Sequence, residues 1–296
     1  MIQATDIELR AGARLLLEAV NLRIGPGDRV GLVGRNGAGK TTLMKVLAGI
    51  STPAHGTVTR AEVGYLPQDP AAADGEQSAL ARIMSARGLD EAVMRMHKQA
   101  KRMEDPKLRD QAMRRYASAE AEFLAQGGYA AEAQALAVAD GLGLSQEQLQ
   151  REIATLSGGQ RRRVELARIL FSGEGVLLLD EPTNHLDADS ITWLRSFLRT
   201  YSAGVMIISH DVDLLRDVVN RVAHLDATRC TLDQYAMGWD AYQKQVEVDA
   251  RRRKRETANA TKQAEALRHQ AERMRAKATK ARQAQTMLRR ADALLH

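Results

Sequence analysis

Gly34-Arg35-Asn36-Gly37-Ala38-Gly39-Lys40-Thr41 narrows what this chain can become more than any other stretch. It fits the phosphate-binding pattern G-x-x-x-x-G-K-[ST]. The apolar run Arg29-Val30-Gly31-Leu32-Val33 before it reads as a buried strand. Thr42-Leu43-Met44-Lys45-Val46-Leu47-Ala48 after it reads as a helix. Strand, glycine loop and helix start, in that order, turn successive backbone N–H groups into one concavity and add the positive end of the helix. On this reading Gly34, Asn36, Gly37, Ala38, Gly39 and Thr42 build a phosphate cradle. Lys40 reaches the β- and γ-phosphates, and the Thr41 hydroxyl holds Mg²⁺.

A chain of 296 residues has room for roughly two domains. Its single cysteine, Cys230, cannot form an intramolecular disulfide, reads as a small buried apolar residue and favours a reducing cytosol. The opening Met1-Ile2-Gln3-Ala4-Thr5-Asp6 lacks the basic and apolar blocks of a signal peptide, and no apolar run is long enough to span a membrane. A cytoplasmic location is expected. Charge is uneven: residues 241–296 hold 15 Lys/Arg against 6 Asp/Glu, a balance of +9 in a chain whose net charge is +6. Such asymmetry points to a polyanionic partner.

Residues 3–10 and 15–24 alternate apolar and polar and predict the strands of a hairpin, with a turn at Gly25-Pro26-Gly27-Asp28. Short strands are predicted at 57–60 and 62–66, ending at Pro67-Gln68. The texture then changes. From 74 to 150 the chain is rich in Ala, Glu, Gln, Arg and Met, which favours helices near 76–86, 90–102, 108–124 and 130–141. The turn Met103-Glu104-Asp105-Pro106-Lys107 makes a helical hairpin of the middle pair, and Gly127-Gly128 ends its second helix. Beyond 158 strand and helix alternate: helix 158–171, strand 176–180, helix 188–201, strand 205–208, helix 212–218. Strands 221–226 and 230–235 are expected to close the domain as a small sheet. The class is α/β, with ligands at the carboxyl ends of parallel strands.

From 241 onward there is neither Gly nor Pro, and one or two long helices are expected. Ala260, Ala264, Leu267, Ala271, Met274, Ala278 and Ala281 recur with the 3.5-residue period of a coiled-coil seam, which continues through Gln285, Leu288, Asp292 and Leu295. The seam needs a partner helix from elsewhere or a fold-back within the tail.

Three further motifs follow the phosphate loop in order. Val176-Leu177-Leu178-Leu179-Asp180-Glu181 is an apolar strand ending in two acids. Asp180 would hold Mg²⁺ and Glu181 would act as general base on the attacking water. Leu156-Ser157-Gly158-Gly159-Gln160 opens a basic helix and makes a second anion-binding N-terminus. His210, just past a strand, is placed to hydrogen-bond a γ-phosphate and the attacking water. Gln68, at the end of another strand, is placed to touch Mg²⁺ and sense the γ-phosphate.

Together these motifs resemble the nucleotide-binding domain of the ATP-binding cassette (ABC) superfamily, over residues 1–240. Asp180-Glu181-Pro182-Thr183-Asn184-His185-Leu186-Asp187 resembles the form common in the ribosome-associated ABC-F branch. So do the 88-residue step from Gln68 to Leu156, with room for an arm insertion, and the basic helical tail. The resemblance implies a P-loop cassette with a helical subdomain and arm at about 74–155, the arm itself near 90–124. An incomplete interdomain linker at 241–296 follows. It implies a soluble ATPase that uses ATP and Mg²⁺ and binds the ribosome near the tRNA exit site. The linker would approach tRNA and the arm would contact ribosomal RNA or protein. Translation regulation and antibiotic resistance both stay open, and the rival is the ATPase subunit of a membrane transporter.

Two departures matter. No aromatic stands in Arg10-Ala11-Gly12-Ala13-Arg14, where the family stacks adenine, so Arg10 or Arg14 would take that place and base preference is open. The family pairs the phosphate loop of one cassette with the Ser-Gly-Gly turn of another. A single copy of each implies a second cassette, from a homodimer mate or, as expected here, from a domain beyond a truncated end.

Overall fold

The computed structural model describes residues 1–68, 77–125, 127–173, 175–275, 286 and 289. Backbone contacts divide the chain into two units, Met1–Trp239 and Asp240–His296.

The first unit begins with a hairpin, β1 (Ile2–Ala11) and β2 (Arg14–Ile24), followed by β3 (Arg29–Gly34), α1 (Lys40–Ala48), β4 (His55–Arg60) and β5 (Val63–Leu66). The helical stretch holds α2 (Ala79–Met84), α3 (Asp90–Arg102), α4 (Arg109–Ala125), α5 (Gly128–Gly141), α6 (Gln146–Gln150) and α7 (Gly158–Ser172). Alternation resumes with β6 (Val176–Asp180), α8 (Ala188–Thr200), β7 (Val205–Ile208), α9 (Val212–Val218), β8 (Arg221–Asp226) and β9 (Thr231–Tyr235). The last helix, α10 (Trp239–Arg275), runs on into the second unit.

Six strands in the order β5-β6-β7-β3-β8-β9 form the main sheet, parallel except for β9. β6 and β7 are buried along their whole length. Successive side chains point to opposite faces, so each strand feeds two cores. Leu177, Leu179, Val205 and Ile207 pack with the helical side. Leu178, Met206, Val30 and Leu32 pack with α1 and the second sheet, β2-β1-β4, which is antiparallel.

The strands at 221–226 and 230–235 differ from the expectation of a separate small sheet. β8 pairs in parallel with β3, Val30 opposite Arg221 through Gly34 opposite Leu225, and β9 extends the same sheet. The reason is burial. Ala223 and Leu225 fill the same core as Val30 and Leu32 of the neighbouring β3.

Arg29 fixes one seam of this architecture. It is 7% exposed, and its guanidinium donates to the carbonyls of Leu198 (2.7 Å), Ala203 (3.1 Å) and Tyr201. These are backbone acceptors at and beyond the end of α8, and a buried cation bonds all three.

α3 and α4 form the expected helical hairpin, with Arg95 paired to Glu122 at 2.8 Å. The helix expected at 76–86 starts later, at Ala79. Ser78 accepts there from the Ala81 N–H, and residue 76 lies outside the described residues.

In the second unit α10 is continuous to Arg275. Ala264 is buried and Leu267 half-buried, while Thr261, Lys262, Gln263, Glu265 and Ala266 are exposed. The seam positions Ala260, Ala271, Met274, Ala278, Ala281, Gln285, Leu288, Asp292 and Leu295 lie outside the residues whose side chains are described.

Candidate functional site

The phosphate-loop stretch runs from the end of β3 into α1, with the geometry its glycines allow. Gly34 has φ +153°, and a Cβ there would lie 2.7 Å from the Leu225 carbonyl oxygen. Gly39, the residue before α1, has φ +108°, and its Cβ would lie 3.1 Å from Leu16. Only glycine fits either position without displacing a neighbour. Lys40 folds back over the loop, donating from Nζ to the carbonyls of Gly34 (2.8 Å) and Arg35 (3.1 Å). Burial lowers its ammonium pKa, and the carboxylates of Asp180 and Glu181 oppose that shift.

Asp180 ends β6 and is 2% exposed. Its Oδ2 accepts from Thr41 Oγ1 at 2.8 Å. Burial pushes its carboxyl above the ordinary range, against the Thr41 bond and the Arg162, Lys40 and Lys45 charges. Glu181 follows at 7% exposed with φ +51°, a left-handed conformation that costs a non-glycine residue about 1–3 kcal/mol. Its N–H donates to the Ile208 carbonyl at 2.8 Å, and its carboxylate accepts from the His210 N–H at 3.2 Å. The His210 imidazole Nε2 stands 3.4 Å from Glu181 Oε1. Burial raises the Glu181 carboxyl too, with the His210 contacts opposing.

One cavity of about 490 Å³ gathers these groups. Asn36, Gly37, Gly39, Lys40, Thr41 and Thr42 line its loop side; Gln68, Asp180, Glu181 and His210 line the strand ends. Its volume falls in the range of ordinary small-molecule sites, about 300–1,000 Å³. The Thr41 hydroxyl, the Asp180 carboxylate and the Gln68 amide supply hard oxygen donors of the kind Mg²⁺ takes. Gly34 and Ala38 do not line the cavity: Gly34 abuts Leu225, and Ala38 is buried beneath the loop.

Ser157, Gly158, Gly159 and Gln160 do not line it either. They begin α7 with a reciprocal cap: the Gln160 N–H donates to Ser157 Oγ at 3.2 Å and the Ser157 N–H to Gln160 Oε1 at 2.9 Å. Gly158 has no neighbouring heavy atom within 4 Å of a Cβ position, and Gly159 sits 3.4 Å from His185 by the same measure. At the other end, Arg14 lines the cavity with Ala11 and Leu16, while Arg10 is paired with Glu8.

The sequence reading did not single out Arg162 within the basic helix that Leu156-Ser157-Gly158-Gly159-Gln160 opens. Arg162 is 5% exposed. Its helical phase was the available signal, since Arg162, Leu166 and Leu170 recur every four residues on the buried face of α7.

Two family models, both described as ABC transporter, match this sequence over residues 17–184 and 225–295. The first alone spans more than half of the chain. The chain belongs to the ABC transporter family. As an ATP-binding cassette it is 37% identical over 229 residues to YkpA of Bacillus subtilis, an uncharacterized ABC transporter ATP-binding protein, covering 76% of this chain and 42% of that one. It is 36% identical over 251 residues to the tylosin resistance ATP-binding protein TlrC of Streptomyces fradiae, covering 82% and 45%. It is 33% identical over 230 residues to the probable ATP-binding protein YheS of Escherichia coli, covering 76% and 34%. The cassette thus spans less than half the length of each of these relatives. Among solved structures, an ATP-binding subunit of an ABC transporter superposes with a TM-score of 0.61 at 19% identity, covering 83% of this chain and 93% of that one. A dimeric post-hydrolysis cassette bound to ADP and Pi superposes with a TM-score of 0.55 at 19% identity, covering 81% and 100%. At such identity the likeness speaks for the fold.

Proposed function

We propose that this cassette binds and hydrolyses ATP at a composite site completed by a second cassette, and that it acts on the ribosome as an ABC-F-type protein. The observation that carries the reading is a separation. Lys40, Thr41, Asp180, Glu181 and His210 converge on one cavity, while the Ser157-Gly158-Gly159 turn opens elsewhere on the same unit. Each cassette then offers two half-sites, and ATP joins them across a pair.

The loop amides and Lys40 hold the β- and γ-phosphates. Thr41, Gln68 and Asp180 would hold Mg²⁺, which when bound neutralises charge developing on the phosphate oxygens. Glu181 accepts a proton from the attacking water as the bond between the γ-phosphorus and the bridging oxygen breaks, giving ADP and phosphate. Its raised carboxyl pKa suits that role. His210 orients the Glu181 carboxylate and the water. Ser157, Gly158, Gly159 and Gln160 present their helix N-terminus to the γ-phosphate held by the partner cassette. ATP contacts that exist only in the closed pair shift the population toward closure, and hydrolysis reopens it.

Several features favour the ABC-F branch: the Asn184-His185 pair after the acidic strand end, the α3–α4 hairpin as arm, and the basic α10 as start of a linker. TlrC, a resistance protein by its name, points the same way. On this reading residues 1–240 are the cassette with its helical subdomain and arm, and 241–296 the linker. Ribosomal RNA and tRNA are the polyanionic partners, and the location is cytoplasmic. Among the described residues no helix is long and apolar enough to cross a membrane. A transporter subunit is the competing reading, supported by the family description. Nucleotide-dependent co-sedimentation decides: Glu181→Gln protein with ATP pellets with ribosomes on this proposal. Pelleting with membrane vesicles instead would assign it to transport.

A further inference from the structure

Arg162 sits five residues into α7 from the Ser157 cap, with its guanidinium buried beneath the acidic strand end. Nη2 donates to the carbonyl oxygens of Asp180 at 3.0 Å and Glu181 at 2.9 Å, and Nη1 reaches that of Pro67 at 3.4 Å. One planar fork therefore ties together three pieces of backbone: the two acids, the residue before Gln68, and the helix that opens at the Ser-Gly-Gly turn. Glu181 is the residue that most needs such a tie, since its backbone is left-handed at φ +51°. Its carbonyl also accepts from the Asn184 N–H at 3.3 Å.

We propose that Arg162 is a positioning residue for hydrolysis: it holds the Glu181 backbone in its left-handed turn, so that the carboxylate stays against His210. This rests on the ATPase reading above and adds a residue that touches neither nucleotide nor water. Lysine cannot replace it. An ammonium lacks the planar fork that serves two adjacent carbonyls and a third nearby. With the tie gone, the turn at Glu181 relaxes and the carboxylate leaves the line of attack, where displacements near 1 Å are costly. Lys40 and Thr41 lie on α1, and the Arg162 fork bonds neither of them.

The test compares Arg162→Lys, Arg162→Gln, Glu181→Gln and the double variant Arg162→Lys/Glu181→Gln in the intact protein. MgATP turnover and affinity for a fluorescent ATP analogue are both measured. Arg162→Lys is expected to lower kcat at least about tenfold while KM and analogue affinity stay within about threefold. The double variant is expected to be no slower than Glu181→Gln alone, because both changes act through one carboxylate. A kcat within about twofold of wild type, an equal loss of binding, or additive losses in the double variant each overturn the proposal. Where Arg162→Lys does not fold, Arg162→Gln is read by the same criteria. Failure of both to fold makes Arg162 structural and also overturns it. Wild-type protein without turnover, or Glu181→Gln with full turnover, refutes the ATPase reading itself, and this proposal falls with it.

Discussion

Thr41 Oγ1 donates a hydrogen bond to Asp180 Oδ2 across 2.8 Å, joining the first turn of α1 to the end of β6. Two groups 139 positions apart in sequence thus share one wall of the cavity. Thr41→Ala removes an oxygen donor from that wall. Affinity for a fluorescent ATP analogue in Mg²⁺ is expected to fall at least about tenfold, or ~1.4 kcal/mol. With the metal chelated by EDTA, wild type and variant are expected to bind alike. An equal loss in both buffers would reassign Thr41 to packing.

Glu181→Gln is expected to stabilise the nucleotide-free protein while it slows turnover. Burial raises the Glu181 carboxyl in the folded state above its unfolded value, so the ionised form is penalised by folding. Whatever stability this group lends is present below the unfolded pKa and lost as pH rises through the folded one. Neutral pH therefore finds wild type at its disadvantage. Glutamine carries no charge, and its amide oxygen can still accept from the His210 N–H. Scanning calorimetry at neutral pH is expected to show a Tm rise of about 1–3 °C that shrinks as pH falls toward 4. A lowered Tm, or a gain independent of pH, would contradict the burial argument.

Glu165 behaves in the opposite sense. It lies between Arg82 on α2 and Arg168 on α7, with Nε-to-carboxylate distances of 2.6 and 2.8 Å, and is 8% exposed. Burial alone would raise its pKa, but the bonds to Arg82 and Arg168 outweigh burial and hold it below the ordinary value. Its stabilisation is present above the unfolded pKa and lost as pH falls through the folded one. Glu165→Gln is expected to cost about 1–2 kcal/mol at pH 7, since two half-buried cations lose their counter-charge. Urea unfolding measures it, and the gap to wild type is expected to close below about pH 4. A cost unchanged at low pH would mean shape, not charge, sets the contribution.

Much of this cassette is legible in its sequence because its chemistry sits in contiguous motifs. The glycines around Lys40 need positive φ, and the run from Val176 to Leu179 has no polar residue to expose, so each reports its own structure. What the sequence withheld is pairing across distance. Nothing local in Arg221–Asp226 says that its neighbour is Arg29–Gly34 rather than only the strand that follows. The two buried arginines were hidden for a similar reason. Arg29 and Arg162 look like ordinary surface cations until the carbonyls they satisfy are brought to them. Cys230, expected as a small buried residue, is half-buried with φ +55° in the turn between β8 and β9. The α6 helix also escaped notice, although Ser145 and Gln148 form a capping box that the spacing permits.

The account stands most squarely on two half-sites that face different nucleotides. Gly158→Arg tests it directly. No atom lies within 4 Å of a Cβ at Gly158, and the residue does not line the cavity that holds Lys40. The side chain therefore fits the isolated cassette and obstructs only a nucleotide presented by a second one. In the intact protein, affinity for a fluorescent ATP analogue is expected to stay within about twofold of wild type while turnover falls at least about a hundredfold. Undiminished turnover in this variant would place every group that hydrolyses ATP within one cassette, and the composite site would be wrong.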